Sequence, residues 1–562
     1  MSVNGYLFIS STRVLEQNWK LILVILACVF WGTLLVFAIL KKITEQQFSD
    51  MELTALALGG WPLPTLLVSL SIFFWRAFIP VNFVFITAIM IVLSTGLALR
   101  SLWGQVSLNF SLPILFFLLL VFMRLGFVAN TILPLYFDSA EHYRIILDLL
   151  NPQDVTKFIW PTTTYYHLGY HFTVAAIILI TRANLGQTML LFGQIMLAAI
   201  PLPIYFIVRR ATDSHWAAYG VFGATLAAFG WFMPAHAVNW GKYPALLSLL
   251  LIQFTLGMAI IKNRWLFVLA AIASILIHTR AIILLAVFGM AWILSAIWMD
   301  QPRNRRILLF ALTMTTLGIT ILLIERNQIL SPIFEPYQIW VTLLVGLLSA
   351  AAFQAYPRLI VFSILTILLI LTGIFIPVTS AITLLDRPLV EMMLSLPLAF
   401  LGGLGTVRLP KLVVTVLSIL IIIHAWITYN FSASDCCQLV NHGDVVALDW
   451  MDKNLPANAH IAIASADLNL NAFGNSMQGT GTDAGIWVTP LTQRAILALP
   501  YSTDFHLHTS HDILCQQNIT HLYIGTRPQS FKFDFARTEP IGYKVIFSLQ
   551  GTNIVQVINC GN

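Results

Sequence analysis

Apolar runs of about 17–25 residues return repeatedly between residues 19 and 429, and each is long enough to cross a hydrocarbon core of about 30 Å as a helix. Inside lipid every backbone N–H and C=O must find a partner within the protein, so such a segment spans as a helix or does not span. Of the 562 residues, 58% are hydrophobic and 10% charged, against roughly 25% charged in an ordinary soluble domain. The chain is therefore expected to be a polytopic α-helical membrane protein of about 14 spans, a multi-pass protein of the plasma membrane whose main solvent is the bilayer. The opening residues lack the small-residue cleavage site of a removable leader, so the first span is expected to do the targeting.

Candidate spans lie near 19–40, 52–74, 78–99, 112–130, 165–181, 187–208, 215–233, 244–261, 264–279, 281–299, 307–324, 337–353, 357–377, 389–407 and 411–429. Basic residues favour cytoplasmic loops. Arg209-Arg210, Lys262 with Arg264, Arg303 with Arg305-Arg306, Arg358, and Arg408 with Lys411 alternate along the chain so that all fall on one side. The polar loops at 236–242, 278–280, 325–335 and 386–391 then fall on the other, with everything after 430. Counting back through two full spans would put Asp138 on the basic side, away from those loops. The conflict disappears if 165–181, short and opening with Tyr165, Tyr166 and His167, folds back without crossing. Four spans then precede Asp138, which places the amino terminus outside as well; Lys41-Lys42 and Arg100 agree, while Arg13 and Lys20 do not.

Charge divides the chain into two domains. Residues 1–431 hold 24 Lys+Arg against 14 Asp+Glu, and residues 432–562 hold 6 against 10. The overall basicity belongs to membrane loops and gives no sign of nucleic acid as a partner. From 432 the pattern changes to a helix at 445–454, strands at 460–464, 521–524, 543–548 and 553–558, a glycine-rich loop at 474–485 and a helix at 490–498. Short strands mixed with helices predict a small C-terminal extracytoplasmic α/β domain, 432–562. Its Cys436, Cys437, Cys515 and Cys560 allow three pairings, of which sequence neighbours are the least expected.

The polar residues beside the spans are the candidates for chemistry, because ionisable groups at membrane depth are costly and usually mark a site. In the external loop 131–164, Asp138, Glu141 and His142 stand at i, i+3 and i+4, one face of a helix if the segment coils. Tyr166, His167 and His171 follow. The stretch His236 to Pro244 offers His236, Asn239 and Lys242 as donors and Trp240 as a stacking face. His278 and Arg280 interrupt an apolar run, and Asp386-Arg387 with Glu391 is a later charge group. In the tail, Asp483, Trp487 and Arg494 could lean over the membrane site. His506, His508 and His511 read better as a solvated loop than as a zinc site, lacking a clear fourth ligand.

An acidic pair in the first large external loop, a Tyr/His-rich helix after it, many spans, and an external domain opening with Asp449-Trp450-Met451-Asp452-Lys453-Asn454-Leu455-Pro456 together carry a resemblance. The chain resembles the GT-C superfamily of membrane glycosyltransferases, which includes oligosaccharyltransferase catalytic subunits, protein O-mannosyltransferases and lipid-A aminoarabinose transferases. The resemblance implies an inverting transfer of a sugar from a polyprenyl-phosphate donor to a glycan, lipid or protein acceptor outside the cytoplasm. It implies Asp138 as general base with Glu141 as companion, and Lys242, Arg280 and Arg387 as phosphate contacts. His142, Tyr166, His167, His236, Asn239, Trp240 and His278 become substrate contacts, and Asp483, Trp487 and Arg494 acceptor contacts. Relatives often carry adjacent acids, whereas here two residues separate them. Some relatives use a divalent cation, so one is possible here, and no other cofactor is implied.

No phosphate-binding Walker loop, dinucleotide glycine fingerprint or nucleophile elbow occurs in the sequence. Competing readings are an O-antigen polymerase or ligase, which usually relies on large arginine-rich external loops, and a transporter or envelope assembly protein. A transporter would show an inverted repeat with matching broken helices; Pro201 and Pro203 break one span with no counterpart.

Overall fold

The structure, a computed structural model, describes residues 5–44, 47–78, 83–103, 107–151, 167–212, 217–302, 331–378, 383–428, 431–471, 477–534 and 542–560. Tyr165 and Tyr166, residues 152–164 of the candidate loop, the span at 307–324, and Arg303, Arg305 and Arg306 lie outside the described residues.

Among the described residues, ten helical segments are long and apolar enough to cross a membrane. The protein is a polytopic helical membrane protein with a sheet-containing C-terminal region. Its helices are α1 (Gly5–Ile43), α2 (Asp50–Gly60), α3 (Pro62–Phe78), α4 (Phe83–Leu102), α5 (Ser111–Val128), α6 (Tyr136–Leu150), α7 (Gly169–Thr181), α8 (Leu185–Ala199) and α9 (Pro201–Ala211). They continue as α10 (Ala217–Thr225), α11 (Tyr243–Ile261), α12 (Arg264–Ile277), α13 (Ala281–Met299), α14 (Ile339–Ala352), α15 (Pro357–Thr372), α16 (Arg387–Gly405) and α17 (Lys411–Thr428). One continuous apolar core runs from Leu7 in α1 to Cys437 just past α17.

The helices alternate between two faces. On one face Arg209 and Arg210 at the end of α9 meet Glu52 of α2, Lys41 of α1 meets Asp50, and the Tyr356 hydroxyl donates to Thr212 O at 2.8 Å. The tail occupies the other. There the Tyr136 N–H donates to Cys437 O, the Ser434 N–H to Asn239 Oδ1, and Arg280 pairs with Asp386. Leu7 and Phe8 of α1 pack against Gly126 and Phe122 near the tail-side end of α5, so α1 starts on the tail face.

The segment between α5 and α8 leaves from and returns to that same face. α6 lies at the boundary, where Arg76 at the tail-side end of α3 donates to Leu149 O at 3.3 Å and Leu150 O at 2.5 Å. α7 starts beside the tail-side ends of two other helices: Gly169 packs on Ile277, the last residue of α12, and Tyr170 stacks on Tyr243, the first of α11, at 5.8 Å. The chain is on that same side again where α8 begins, since Gly186 lies beside Leu133 and Pro134, the residues just before α6. α7 has 13 residues, about 20 Å of helix at 1.5 Å per residue.

The tail contains α18 (His442–Asn454), α19 (Val488–Thr492), α20 (His508–Gln516) and strands β1 (His460–Asn471), β2 (Met477–Gly481), β3 (Ala495–Pro500), β4 (His521–Ile524), β5 (Tyr543–Leu549) and β6 (Thr552–Val557). The sheet runs β2-β1-β4-β6-β5, with β3 also pairing β1. Where the sequence predicts a helix over 490–498, the chain ends α19 at Gln493, which takes a left-handed conformation, and enters β3 parallel to β1. An Ala/Leu run of six residues carries no period of its own, and the free edge of β1 decides its conformation. The glycine-rich 474–485 stretch likewise contains β2, antiparallel to β1.

One face of the sheet packs on α18 and on α6: Ala140, Phe137 and Tyr143 join a cluster with Trp487, Ile463 and Tyr523. The tail is thus seated directly on the helix that carries Asp138. Cys436 pairs with Cys437 and Cys515 with Cys560, so the neighbouring cysteines do bond, contrary to expectation.

Candidate functional site

Asp138 sits in the first turn of α6, a helix whose first residue, Tyr136, has φ +67°. A bulky residue in the left-handed region costs about 1–2 kcal/mol, and such strain persists where its surroundings over-determine it. Here the Tyr136 N–H is held by Cys437 O at 3.1 Å and its ring lies 4.1 Å from that of Phe137.

Lys242 meets Asp138 across this turn, Nζ to Oδ2 at 2.5 Å. Gly241 makes the approach possible. Its φ is +67°, and a Cβ there would lie 2.5 Å from Ser139 Oγ and 2.8 Å from Ser139 N, closer than any side chain tolerates. The loop reaches this position through a turn of π-helix at Leu226–Gly230 and a 3-10 segment at Ala235–Trp240 that follow α10. Burial pulls the Lys242 ammonium pKa down, but Asp138 and Asp386 outweigh it and hold the pKa above its ordinary value, with Arg280 opposing them. The Lys242–Asp138 and Arg280–Asp386 pairs therefore share one partly buried patch.

Four histidines adjoin it. His142 Nδ1 lies 3.0 Å from His171 Nε2, and the His167 and His278 rings are 4.5 Å apart. Burial, then the charges of His167, Lys242 and His278, push His142 well below the ordinary histidine range. Burial, Arg280 and Lys242 bring His167 to about 3, and burial with His167, Arg280 and Lys242 depresses His278 in the same way. These rings are neutral at pH 7, able to donate from one nitrogen and accept at the other. The patch therefore holds two carboxylates, two cations and uncharged hydrogen-bonding rings.

Other candidates face elsewhere. Glu141 is on the same helix but binds Arg144, Oε2 to Nε at 3.0 Å and Oε1 to Nη2 at 2.6 Å, while Arg144 also holds Asp148. The i, i+3 spacing thus serves an ion-pair ladder along α6, and the expectation that Asp138, Glu141 and His142 act from one face does not hold. Arg387 pairs with Glu391 at 2.5 Å within α16. Asn239 is buried and spent in part on Ser434, and Trp240 lies 5.5 Å from the ring of His236.

The tail residues do not reach the patch as free groups. Asp483 is fully buried, accepting from Gly485 N at 2.8 Å and Ser530 Oγ; burial raises its carboxyl to about 6 against those bonds. Arg494 is tied to Asp452, Leu455 O and Thr492 O. Trp487 is buried, and its ring meets Tyr143 of α6 edge-on at 5.3 Å. Asp483 and Arg494 belong to the tail's own packing, since a glycine-rich turn that buries an Asp satisfies it locally, while Trp487 helps seat the tail on α6.

Among the described residues, the one group whose ligand atoms gather closely enough for a metal is His511, Cys515 and Cys560, in the tail, where the two cysteines are disulfide-bonded. His511 is buried against Ile558 O at 2.8 Å and lies in α20, so it is not part of a solvated loop. Asp138, Glu141 and the nearby histidines form no such group. Arg124, buried in α5 beside His236, was not singled out by sequence reasoning, although an arginine in an apolar run is itself a signal. No family model matches the chain, and a search of curated proteins finds no match either.

Proposed function

We propose that the protein is a membrane glycosyltransferase that takes a sugar from a polyprenyl-phosphate donor and places it, with inversion, on an acceptor at the tail face. The observation that carries this reading is the Asp138–Lys242 pair beside Arg280, on an interfacial helix roofed by the tail. In the transfer, the acceptor oxygen attacks the anomeric carbon, its proton passes to Asp138, and the bond from that carbon to the phosphate oxygen breaks. The departing phosphate keeps the electron pair. Lys242 and Arg280 are the cations available to meet it, with Lys242 exchanging Asp138 for the phosphate when the donor enters. Neutral His142, His167 and His278 bind sugar hydroxyls without adding charge. Arg387, paired with Glu391 next to Asp386 in sequence, is a further phosphate candidate.

Topology supports the same reading. Arg209, Arg210, Lys262, Arg264, Arg358, Arg408 and Lys411 belong to the face opposite the tail, and lysine and arginine favour the cytoplasm. The tail would then be extracytoplasmic, and counting the 307–324 segment and the short helices as spans while leaving out α7 gives about 14 crossings. A donor anchored in lipid would enter from the bilayer beside α6. Incubating membranes that contain the protein with radiolabelled polyprenyl-phosphate sugars tests the reading. Label should move from the lipid to a non-lipid or second-lipid product in wild type and stay in the donor in Asp138→Asn.

A further inference from the structure

Arg124 is an arginine 9% exposed, placed in the apolar helix α5. Among the described residues it makes no ion pair, hydrogen bond or cation–π contact. Its guanidinium has no protein partner among them and faces a recess, and ionisable groups inside membrane helices are retained where they serve a ligand or pathway. Arg124 lines a cavity of about 210 Å³ at the tail-side end of the helices. That is several times the roughly 30 Å³ share of one liquid water.

The rest of the lining suits an anion. His236 and Asn239 come from the loop before α11, Thr428 from the end of α17, and Ser432 and Ser434 from the linker into the tail. The Asn239 Oδ1 is occupied by the Ser434 N–H at 3.1 Å, which leaves its amide N–H groups as the free side of the carboxamide. Glu335, the acid that acts on His236, is exposed and does not line the cavity. Phenylalanines close the remaining walls. A guanidinium with its five donors unused, facing amide, imidazole and hydroxyl groups but no carboxylate, matches the three or four oxygens of a phosphate.

We propose that Arg124 anchors an oxyanion site, between α5 and the linker that joins α17 to the tail, which takes a phosphate group either free or carried on a lipid. The site does not depend on any chemistry at Asp138. Because Ser432 and Ser434 belong to the linker, an occupied site also ties the seating of the tail to the ligand.

The test is a thermal-unfolding titration of the full-length protein in dodecyl maltoside at constant ionic strength, with inorganic phosphate in one arm and dodecyl phosphate in the other. A ligand that binds only the folded state raises the melting temperature saturably. At least one arm should do so. A response to dodecyl phosphate alone identifies a lipid-borne group, and an equal response to both identifies the free anion. Arg124→Met should weaken the apparent affinity by about tenfold or more while its ligand-free melting temperature stays close to wild type, because among the described residues the side chain makes no ion pair or hydrogen bond to lose. Arg124→Lys should keep most of the binding. No saturable shift in either arm of wild type, or an unchanged affinity in Arg124→Met, overturns the proposal.

Discussion

Asp138 and Lys242 are 104 residues apart in sequence and joined by a 2.5 Å ion pair, which fastens the loop before α11 to the first turn of α6. Removing Lys242 leaves the carboxylate without its partner. Lys242→Met is expected to lower stability by about 1.5–3 kcal/mol, the usual range for a charged hydrogen bond. The folded-state pKa of Lys242 is raised, so the pair's contribution is fully present below the unfolded lysine value of about 10.4 and fades as pH rises past the folded one. The gap in melting temperature between wild type and Lys242→Met should therefore stay constant from pH 7 to 9 and narrow in strong alkali. A gap that already closes by pH 8 would contradict the pairing.

Gly241 is the hinge of this contact. Gly241→Ala must keep a φ of +67° and clear Ser139 at the same time. The conformation alone costs about 1–2 kcal/mol, and the clash with backbone adds to it. The expected outcome is a fall in melting temperature together with loss of any activity that needs Lys242 beside Asp138. Gly289→Ala, where nothing lies within 4 Å of the added Cβ, should be neutral and serves as the control.

Acid should loosen the site. His142, His167 and His278 are held neutral in the fold, whereas an unfolded histidine takes a proton near pH 6.5. The unfolded chain binds more protons below that value, so stability rises with pH up to about 6.5 and falls below it, by as much as about 1.4 kcal/mol per pH unit for each ring. Melting curves between pH 5 and 8 should show this slope. His142→Gln should flatten it in part, and an unchanged slope would show that His142 is not held neutral by the fold.

On the opposite face, Glu52 is fully buried and accepts from Arg210 Nη2 at 2.7 Å, with Arg209 Nε 3.3 Å away. Glu52→Gln leaves two guanidinium groups facing a neutral amide and is expected to cost about 3–5 kcal/mol. A double-mutant cycle with Arg210→Gln should return a coupling of about 0.5–3 kcal/mol. Strict additivity would show that the pair is incidental.

That the chain is a polytopic helical membrane protein was legible because bilayer thickness imposes a length on its apolar runs. Asp138, Lys242, His278 and Arg280 could each be picked out as polar groups beside apolar runs, but which of them meet depends on helix packing. Glu141 shows the limit: its spacing to Asp138 and its spacing to Arg144 are both helical neighbours, and only the second is used. The 495–500 strand was missed because its partner, β1, is distant in sequence. Asp483 and Arg494 looked available because turn residues look exposed in a sequence, while their bonds to Ser530 and Leu455 close inside the tail. Arg124 is legible in the sequence as a charge within an apolar run, but an arginine inside a span does not by itself tell which loops and linker it will face.

The most direct test of the central claim is sugar transfer from radiolabelled polyprenyl-phosphate donors by membranes holding equal amounts of wild type, Asp138→Asn and Glu141→Gln. Loss of a general base typically costs about 10²–10⁴-fold in rate. A fall of that size is expected for Asp138→Asn, with near wild-type transfer for Glu141→Gln, whose carboxylate serves Arg144. Undiminished transfer by a normally inserted Asp138→Asn protein would contradict the assignment of Asp138 as the base.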